Sequence, residues 1–178
     1  MSDAPRTVSG KWMILTAFGL AIAMSVGAWL FHYRQQHRPM ELWGPAAAKL
    51  IAHGKEVQAW RLSTDDEPTS ADVLETITLD GQRLHVVERR DITNARGLVH
   101  FRSGLLNANC FDWNATSSES ADWQYALQFG ETDERATILF APEAQRLRLL
   151  ESGAEISVAP ISEGLESFLK EQFVPPSD

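Results

Sequence analysis

An uninterrupted apolar run near the start of the chain, from Trp12 to Phe31, constrains this sequence more than any other feature. The run (WMILTAFGLAIAMSVGAWLF) contains no charged residue. An α-helix rises about 1.5 Å per residue, so a helix of this length matches the roughly 30 Å hydrocarbon core of a bilayer. We therefore predict a transmembrane helix over 12–31, preceded by a short tail (1–11) and followed by a basic juxtamembrane flank (32–38).

Aromatic and basic side chains bracket this run. Tryptophan and tyrosine rings favour the membrane–water interface because one edge is apolar and the other is wet. Basic residues beside a bilayer mark the same boundary and attract anionic headgroups. We therefore predict that membrane lipid is one partner of the chain and that five residues form its interface: Trp12, Trp29, Tyr33, Arg34 and Arg38.

A cleaved secretory signal is the alternative interpretation of the run. Such signals have shorter apolar regions, of about 7–15 residues, and end at small residues such as those at 25–27. Here the apolar character continues past these positions to Phe31, which favours an uncleaved, single-pass signal anchor. Because long domains translocate largely regardless of flanking charge, we expect the soluble part of the chain to be extracytoplasmic.

Small residues line one side of the predicted span. Gly19, Ala23 and Gly27 recur at every fourth position and form a stripe on one helix face. Such stripes let two membrane helices approach closely. They predict a homodimer through the transmembrane helix, although glycine and alanine are also simply common in membrane-spanning helices.

The rest of the chain is acidic. From Pro39 to the end, 23 acidic residues stand against 12 basic ones, a net charge of −11. This balance excludes nucleic acid as a partner, because nucleic-acid binding rests on basic surfaces that neutralise phosphates. The length of 39–174 suits one soluble domain, with a short tail at 175–178. Cys110 is the one cysteine of the chain, so an internal disulfide is excluded.

Turn and cap signals divide the domain into elements. Residues 39–54 have the spacing of a helix, and Pro45 restricts its regular part to a start near Gly44. Asp80-Gly81 separates two strand-like segments and predicts a β-hairpin. Thr93 is predicted to cap the next helix.

The second half of the domain has the clearest strand pattern. In 123–129 large apolar residues alternate with smaller or polar ones, which predicts a strand whose rings share one face. Ser162 is predicted to cap the last helix. The resulting order is helix, three strands, helix, four strands, helix. Hairpin-linked strands in this order predict an α+β domain, a small antiparallel sheet with helices packed on one face.

No strong catalytic or metal-binding pattern is present. Nucleophilic catalysis would require Cys110 to be activated by a base such as His85 or His100, and nothing in the sequence brings either histidine to it. The five histidines show no spacing typical of a metal site. Nucleotide-binding and hydrolase motifs are absent from the sequence. We assign no catalytic, cofactor-binding or metal-binding residue and expect no cofactor.

Three short segments carry a resemblance: Glu41–Pro45 (ELWGP), Gln58–Leu62 (QAWRL) and Ala126–Phe129 (ALQF). They are similar to segments of small, uncharacterised bacterial proteins that carry an N-terminal anchor or a lipoprotein signal. Those proteins often have cysteines in the strand that corresponds to Ile138–Ala144, where this chain has none. The resemblance implies no known activity, and the missing cysteines argue against a thiol-based role.

These observations favour a non-enzymatic function. We expect a single-pass membrane protein whose domain is an interaction or scaffolding module at the membrane surface, with another envelope protein as its partner. One alternative is a domain that binds a small ligand or a lipid, with Trp123, Tyr125 and Phe129 lining the pocket. The other alternative is a cysteine-dependent enzyme that uses Cys110.

Overall fold

The computed structural model describes residues 10–64, 73–115, 121–143 and 145–174. Most of the predicted N-terminal tail and the whole of the predicted tail at 175–178 lie outside the described residues. The chain divides into two compact units, Met1–His37 and Arg38–Asp178.

The first unit contains a long apolar helical segment. Within it, Lys11–Phe31 is long and apolar enough to span a membrane, and none of this segment is buried inside the protein. The large apolar side chains from Trp12 to Phe31 each have an exposed fraction between 46% and 71%.

The first helix, α1, covers Gly10–His53 and contains one residue with non-helical backbone angles, Gly44 (φ 75°, ψ 157°). Glycine adopts this region readily because it has no Cβ, whereas other residues are strained there. Pro45 follows at once, and its fixed φ suits the first position of a new helical segment. The predicted start of the regular helix near Gly44 is therefore confirmed.

Seven antiparallel strands form one sheet in the part of the chain that the structure describes, in the spatial order β2-β3-β1-β4-β5-β6-β7. Two further helices and two short 3₁₀ segments complete the second unit. The predicted α+β class and the predicted element order are confirmed. The strands are β1 (Glu56–Ser63), β2 (Glu75–Leu79), β3 (Gln82–Asp91), β4 (Tyr125–Glu131), β5 (Glu134–Ala141), β6 (Arg146–Leu149) and β7 (Glu155–Ser157), and the helices are α2 (Leu98–Leu105) and α3 (Ser162–Phe173), with 3₁₀ turns at Ala108–Cys110 and Ala159–Ile161.

One face of the sheet packs against the helices. Phe129 and Phe140 on the sheet are fully buried there, beneath side chains from the end of α1, from α2 and from α3. Trp43 of α1 anchors this layer, because its indole Nε1–H donates a buried hydrogen bond of 2.7 Å to the carbonyl of Leu105 at the end of α2. The helices thus lie on one face, as the sequence pattern predicts.

The opposite face has its own apolar core, to which no helical residue contributes among those described. Trp60, Leu84 and Leu139 belong to it. The sheet curls over this face. Arg148 of β6 reaches Asp80 in the turn between β2 and β3, 68 residues away, through two guanidinium–carboxylate hydrogen bonds of 2.5 and 3.1 Å. This contact links strands that are far apart in the sheet order.

Three local predictions are wrong. The second helix begins at Leu98 rather than at Thr93, because the Thr93 hydroxyl instead accepts a hydrogen bond from the backbone N–H of Val57 at 3.0 Å. Ser162 makes no capping hydrogen bond, since a 3₁₀ turn leads directly into α3 and the side chain is buried. Trp123 does not share a face with Tyr125, because regular strand geometry begins only at Tyr125 and the indole joins the other core.

Candidate interaction site

The α2 helix is the element on which the candidate site is built. Its buried stripe consists of Leu98, Phe101 and Leu105, at helical spacing. Val99 points away from that stripe and is 77% exposed, the most exposed large apolar side chain of the second unit among those described. Open clefts run along both sides of the helix.

One cleft, which we call the α1 cleft, lies between α2 and the end of α1 and has a volume of about 480 Å³. Arg102 forms part of its wall. Its Nη1 and Nη2 donate hydrogen bonds to the carbonyl oxygens of Ala52 (3.1 Å) and Gly54 (2.6 Å), and its guanidinium lies 5.6 Å from the centre of the Phe129 ring. The guanidinium therefore satisfies carbonyls that the helix end leaves open. Burial lowers the pKa of Arg102, but a guanidinium stays charged in proteins.

Glycine permits this close approach of α1 to the sheet. A Cβ on Gly54 would lie 2.6 Å from the Leu50 carbonyl oxygen and 3.2 Å from that of Gly130 on β4. Only glycine fits without a shift of the backbone, so the end of α1 is held where Arg102 reaches it.

The second cleft, which we call the α3 cleft, lies between α2 and α3 and has a volume of about 320 Å³. The rings of Phe101 and Phe168 form its apolar floor, with their centres 4.9 Å apart. His100 and Cys110 supply polar groups to its lining. A Cβ on Gly164 would meet no atom within 4 Å, so the cleft has free space on its α3 side.

A cysteine-dependent enzyme would need a histidine base in contact with the Cys110 thiol. Among the described residues, no hydrogen bond joins the Cys110 thiol to His100, although both line the α3 cleft, or to His85, whose Nδ1 instead lies 3.1 Å from the Thr76 hydroxyl. Burial raises the pKa of the Cys110 thiol. A raised pKa keeps the sulfur protonated at neutral pH, the form that is not nucleophilic.

The three aromatic side chains proposed as pocket lining are core residues. Trp123, Tyr125 and Phe129 are 4%, 8% and 0% exposed, respectively. Tyr125 stacks on Phe173 of α3, with the ring centres 6.0 Å apart, so a helix covers it. These rings present no free face to a ligand.

The residues predicted at the membrane interface and in the small-residue stripe lie as follows. Trp12, Trp29 and Tyr33 are exposed on α1. Arg38 belongs to the second unit, where its guanidinium lies 5.3 Å from the centre of the Trp113 ring. The side chain of Arg34 is not among those described. The stripe of Gly19, Ala23 and Gly27 is exposed as well, and a Cβ on either glycine would meet no atom within 4 Å.

The described residues contain no group of three or more histidine, cysteine or carboxylate side chains that could hold a metal ion. Sequence reasoning did not find the two clefts or the exposure of Val99. One signal was present: Val99 falls outside the buried stripe, so helical periodicity alone places it on the outer face of α2.

Comparison of the chain with known protein families, with curated proteins and with solved structures finds no match.

Proposed function

We propose that this chain is a single-pass membrane protein whose extracytoplasmic domain binds another protein of the cell envelope through the outer face of α2. The observation that carries the proposal is the combination of an apolar segment, Lys11–Phe31, of which nothing is buried, with an exposed apolar side chain, Val99, in the wall of the α1 cleft.

The anchoring half of the proposal rests on exposed apolar area. A helix in which each large side chain from Trp12 to Phe31 is about half exposed or more presents far more contiguous apolar surface than a soluble protein tolerates. Lipid covers such a surface without requiring a protein partner, and the segment has the length that a bilayer demands.

The binding half of the proposal rests on the outer face of α2. A single exposed valine is common on protein surfaces, but Val99 lines the open α1 cleft of about 480 Å³, and the α3 cleft of about 320 Å³ is on the other side of α2. An exposed apolar side chain in the wall of a cleft offers a partner both apolar contact and concave surface, which is the arrangement of a small interface core.

The anchor is tested by extraction of full-length protein from membranes at alkaline pH, with a reporter at the C-terminus that is active only outside the cytoplasm. We expect the protein to stay in the membrane pellet, to retain its N-terminal sequence and to give an active reporter. Release into the supernatant, or a mature chain that begins after Gly27, would overturn the anchor. An inactive reporter would place the domain in the cytoplasm.

The binding face is tested by Val99→Asp, which introduces charge at the exposed apolar side chain of α2. An aspartate near the start of a helix is compatible with the helix dipole, so the fold should survive. The matched control is Leu74→Asp, at a residue that is 63% exposed and lies outside α2 and both clefts. In cross-linking of intact cells, we expect complexes to be lost with Val99→Asp and kept with Leu74→Asp. Equal behaviour of the two variants would show that the outer face of α2 is not the binding site.

A second candidate function is binding of a small apolar group, such as one acyl chain, in the α3 cleft. Its volume lies at the lower end of the range of ligand pockets, and the Phe101–Phe168 pair gives it an apolar floor. Gly164→Leu would fill the free space on the α3 side. A fluorescent fatty-acid probe should bind the wild-type protein and bind the variant at least about tenfold more weakly, a loss of about 1.4 kcal/mol. Equal binding by both proteins would remove this candidate.

A further inference from the structure

The helical face of the domain is divided by charge. The segment that contains α2, residues 92–111, has two arginines, Arg96 and Arg102, and no carboxylate, although the domain as a whole is strongly acidic. The neighbouring α3 has the opposite character, with Glu163, Glu166 and Glu171 against one lysine.

The charges that face solvent are available to a partner. Arg96 is exposed and has no ion pair among the described residues, and the same holds for Glu163 and Glu171. Glu166 is already paired with Lys170, with 2.6 Å between the carboxylate and the ammonium nitrogen. Arg102 is bound to backbone carbonyls, so the uncompensated charge next to α2 is that of Arg96, and the exposed Asp91 carboxylate, bonded to Thr93, lies just before this segment. On α3 the uncompensated charges are those of Glu163 and Glu171.

The two halves adjoin. The Phe101 and Phe168 rings contact each other across the boundary in a tilted arrangement, and a Cβ on Gly97 would lie 3.5 Å from the Phe168 ring. The boundary is the α3 cleft, which is lined mainly by apolar side chains. This face thus has Arg96 on its α2 side, which we call the positive half, an apolar centre, and Glu163 and Glu171 on its α3 side, which we call the negative half.

We propose that the protein which docks on this face is a second copy of the chain, an inference that rests on the proposed function of the α2 face. In a two-fold symmetric interface the same patch meets itself, so the patch must be self-complementary. Rotation by half a turn about an axis through the apolar boundary places the positive half of one copy over the negative half of the other. The face meets this requirement, and complementary charge then sets the register of the two copies.

Other partners fit this face less well. A uniformly acidic partner is repelled by Glu163 and Glu171, and a uniformly basic partner is repelled by Arg96. An anionic bilayer surface is repelled by the glutamates in the same way. Anchoring in one membrane also raises the effective concentration of copies for one another, which strengthens a weak pairing without any new contact.

The test uses full-length protein in detergent, with self-association measured by energy transfer between copies labelled on C-terminal tags. Arg96→Glu and Glu163→Arg each place like charges opposite one another, and each should weaken self-association by at least about fivefold, or roughly 1 kcal/mol. The double variant Arg96→Glu with Glu163→Arg should restore it to near the wild-type level. The matched control for Glu163→Arg is Asp133→Arg, which makes the same charge change in the exposed turn after β4.

A second measurement does not depend on the strength of association. In a Cys110→Ser background, Arg96→Cys and Glu163→Cys proteins are mixed and treated with a short bismaleimide. Cross-linked dimers should form more readily in the mixture than with either variant alone, because positive and negative halves face each other.

Self-pairing of two copies and binding through the outer face of α2 can fail separately, and the experiments distinguish the two. Lack of rescue in the double variant, or an equal loss with Asp133→Arg, would overturn the self-pairing. If self-pairing fails while Val99→Asp still removes a cross-linked complex with a different protein, the proposed function stands and only its partner changes. If Val99→Asp removes nothing while the charge rescue succeeds, the self-pairing stands and the proposed role of Val99 in binding is overturned.

Discussion

On one face of the sheet, helices cover the apolar side chains, whereas on the other face the sheet covers itself. The helix-covered core contains Phe129 and Phe140 under α1, α2 and α3. The self-covered core contains Trp60 and Leu139 and receives no helical residue among those described. The two cores are separated only by the thickness of one backbone layer.

Charged side chains close the self-covered face. Arg89 lies over the Trp60 ring, 4.6 Å from its centre, and pairs with Glu75 at 2.6 Å. Arg148 reaches Asp80 across the curl. Long basic side chains cover apolar surface with their stems while their charged ends stay in contact with carboxylates and water. An antiparallel sheet thus buries both faces with helices on only one of them.

Truncation in either core tests whether both support the fold. Phe129→Ala, on the helix-covered face, should lower the free energy of unfolding by about 3–5 kcal/mol, and Leu139→Ala, on the self-covered face, by about 2–5 kcal/mol. Both residues are fully buried. Urea unfolding of the full chain in a mild detergent, followed by tryptophan fluorescence, measures both. A loss below about 1 kcal/mol at Leu139 would mean that the self-covered core contributes little.

The hydrogen bond of Trp43 tests how the helices are fixed to one another. Trp43→Phe keeps an aromatic ring but leaves the buried Leu105 carbonyl without its indole donor. We expect a loss of about 1–3 kcal/mol, the usual cost of an unsatisfied buried polar group. Trp113→Phe is the control, because its indole also donates to a carbonyl, that of Ala108, but the ring is only half-buried. Equal losses of unfolding free energy in the two variants would show that burial of the hydrogen bond is not the cause of the effect at Trp43.

The ion pair between Arg148 and Asp80, across the curl of the sheet, should contribute less to the free energy of unfolding. Asp80→Asn removes the carboxylate charge opposite Arg148 while asparagine still tolerates the positive φ of 50° at this turn. Because Asp80 is largely exposed, we expect a loss of about 1 kcal/mol or less. The same urea experiment at low and high salt measures it, and the loss should shrink at high salt. A loss above about 2 kcal/mol would make this ion pair essential to the curl.

The smallest expected effect concerns Asp91 at the end of β3. The side-chain hydroxyl of Thr93, and to a smaller extent its backbone N–H, donate hydrogen bonds to the Asp91 carboxylate and lower its pKa. A lowered folded pKa stabilises the protein fully above the ordinary aspartate pKa of about 3.9, and the stabilisation is lost as the pH falls through the lower folded value. Asp91→Asn should therefore flatten the decline of stability in that acidic range. An unchanged pH profile would contradict the assignment.

Features that depend on neighbours in sequence were predictable. The apolar run, the Asp80-Gly81 hairpin and the helix start near Gly44 each follow from local periodicity or from backbone preference. The order of helices and strands follows from the same local signals.

Features that depend on partners far away in the sequence were not predictable from it. Thr93 has the right chemistry for a helix cap, yet its hydroxyl instead accepts a hydrogen bond from the backbone N–H of Val57. Trp123 fits the alternation of the strand that follows it, yet its indole lies in the opposite core. The α3 cleft exists only because α2 and α3 come together, although they are far apart in the chain.

The sequence by itself determined the exposed apolar helix, the order of elements and the α+β class, because helix and strand periodicity are encoded within short windows. Only the tertiary structure decided that the sheet curls until Arg148 meets Asp80, that α2 lies beside the acidic helix α3, and that Val99 lines an open cleft. These arrangements join residues that lie tens of positions apart, and no local pattern specifies which of them will meet.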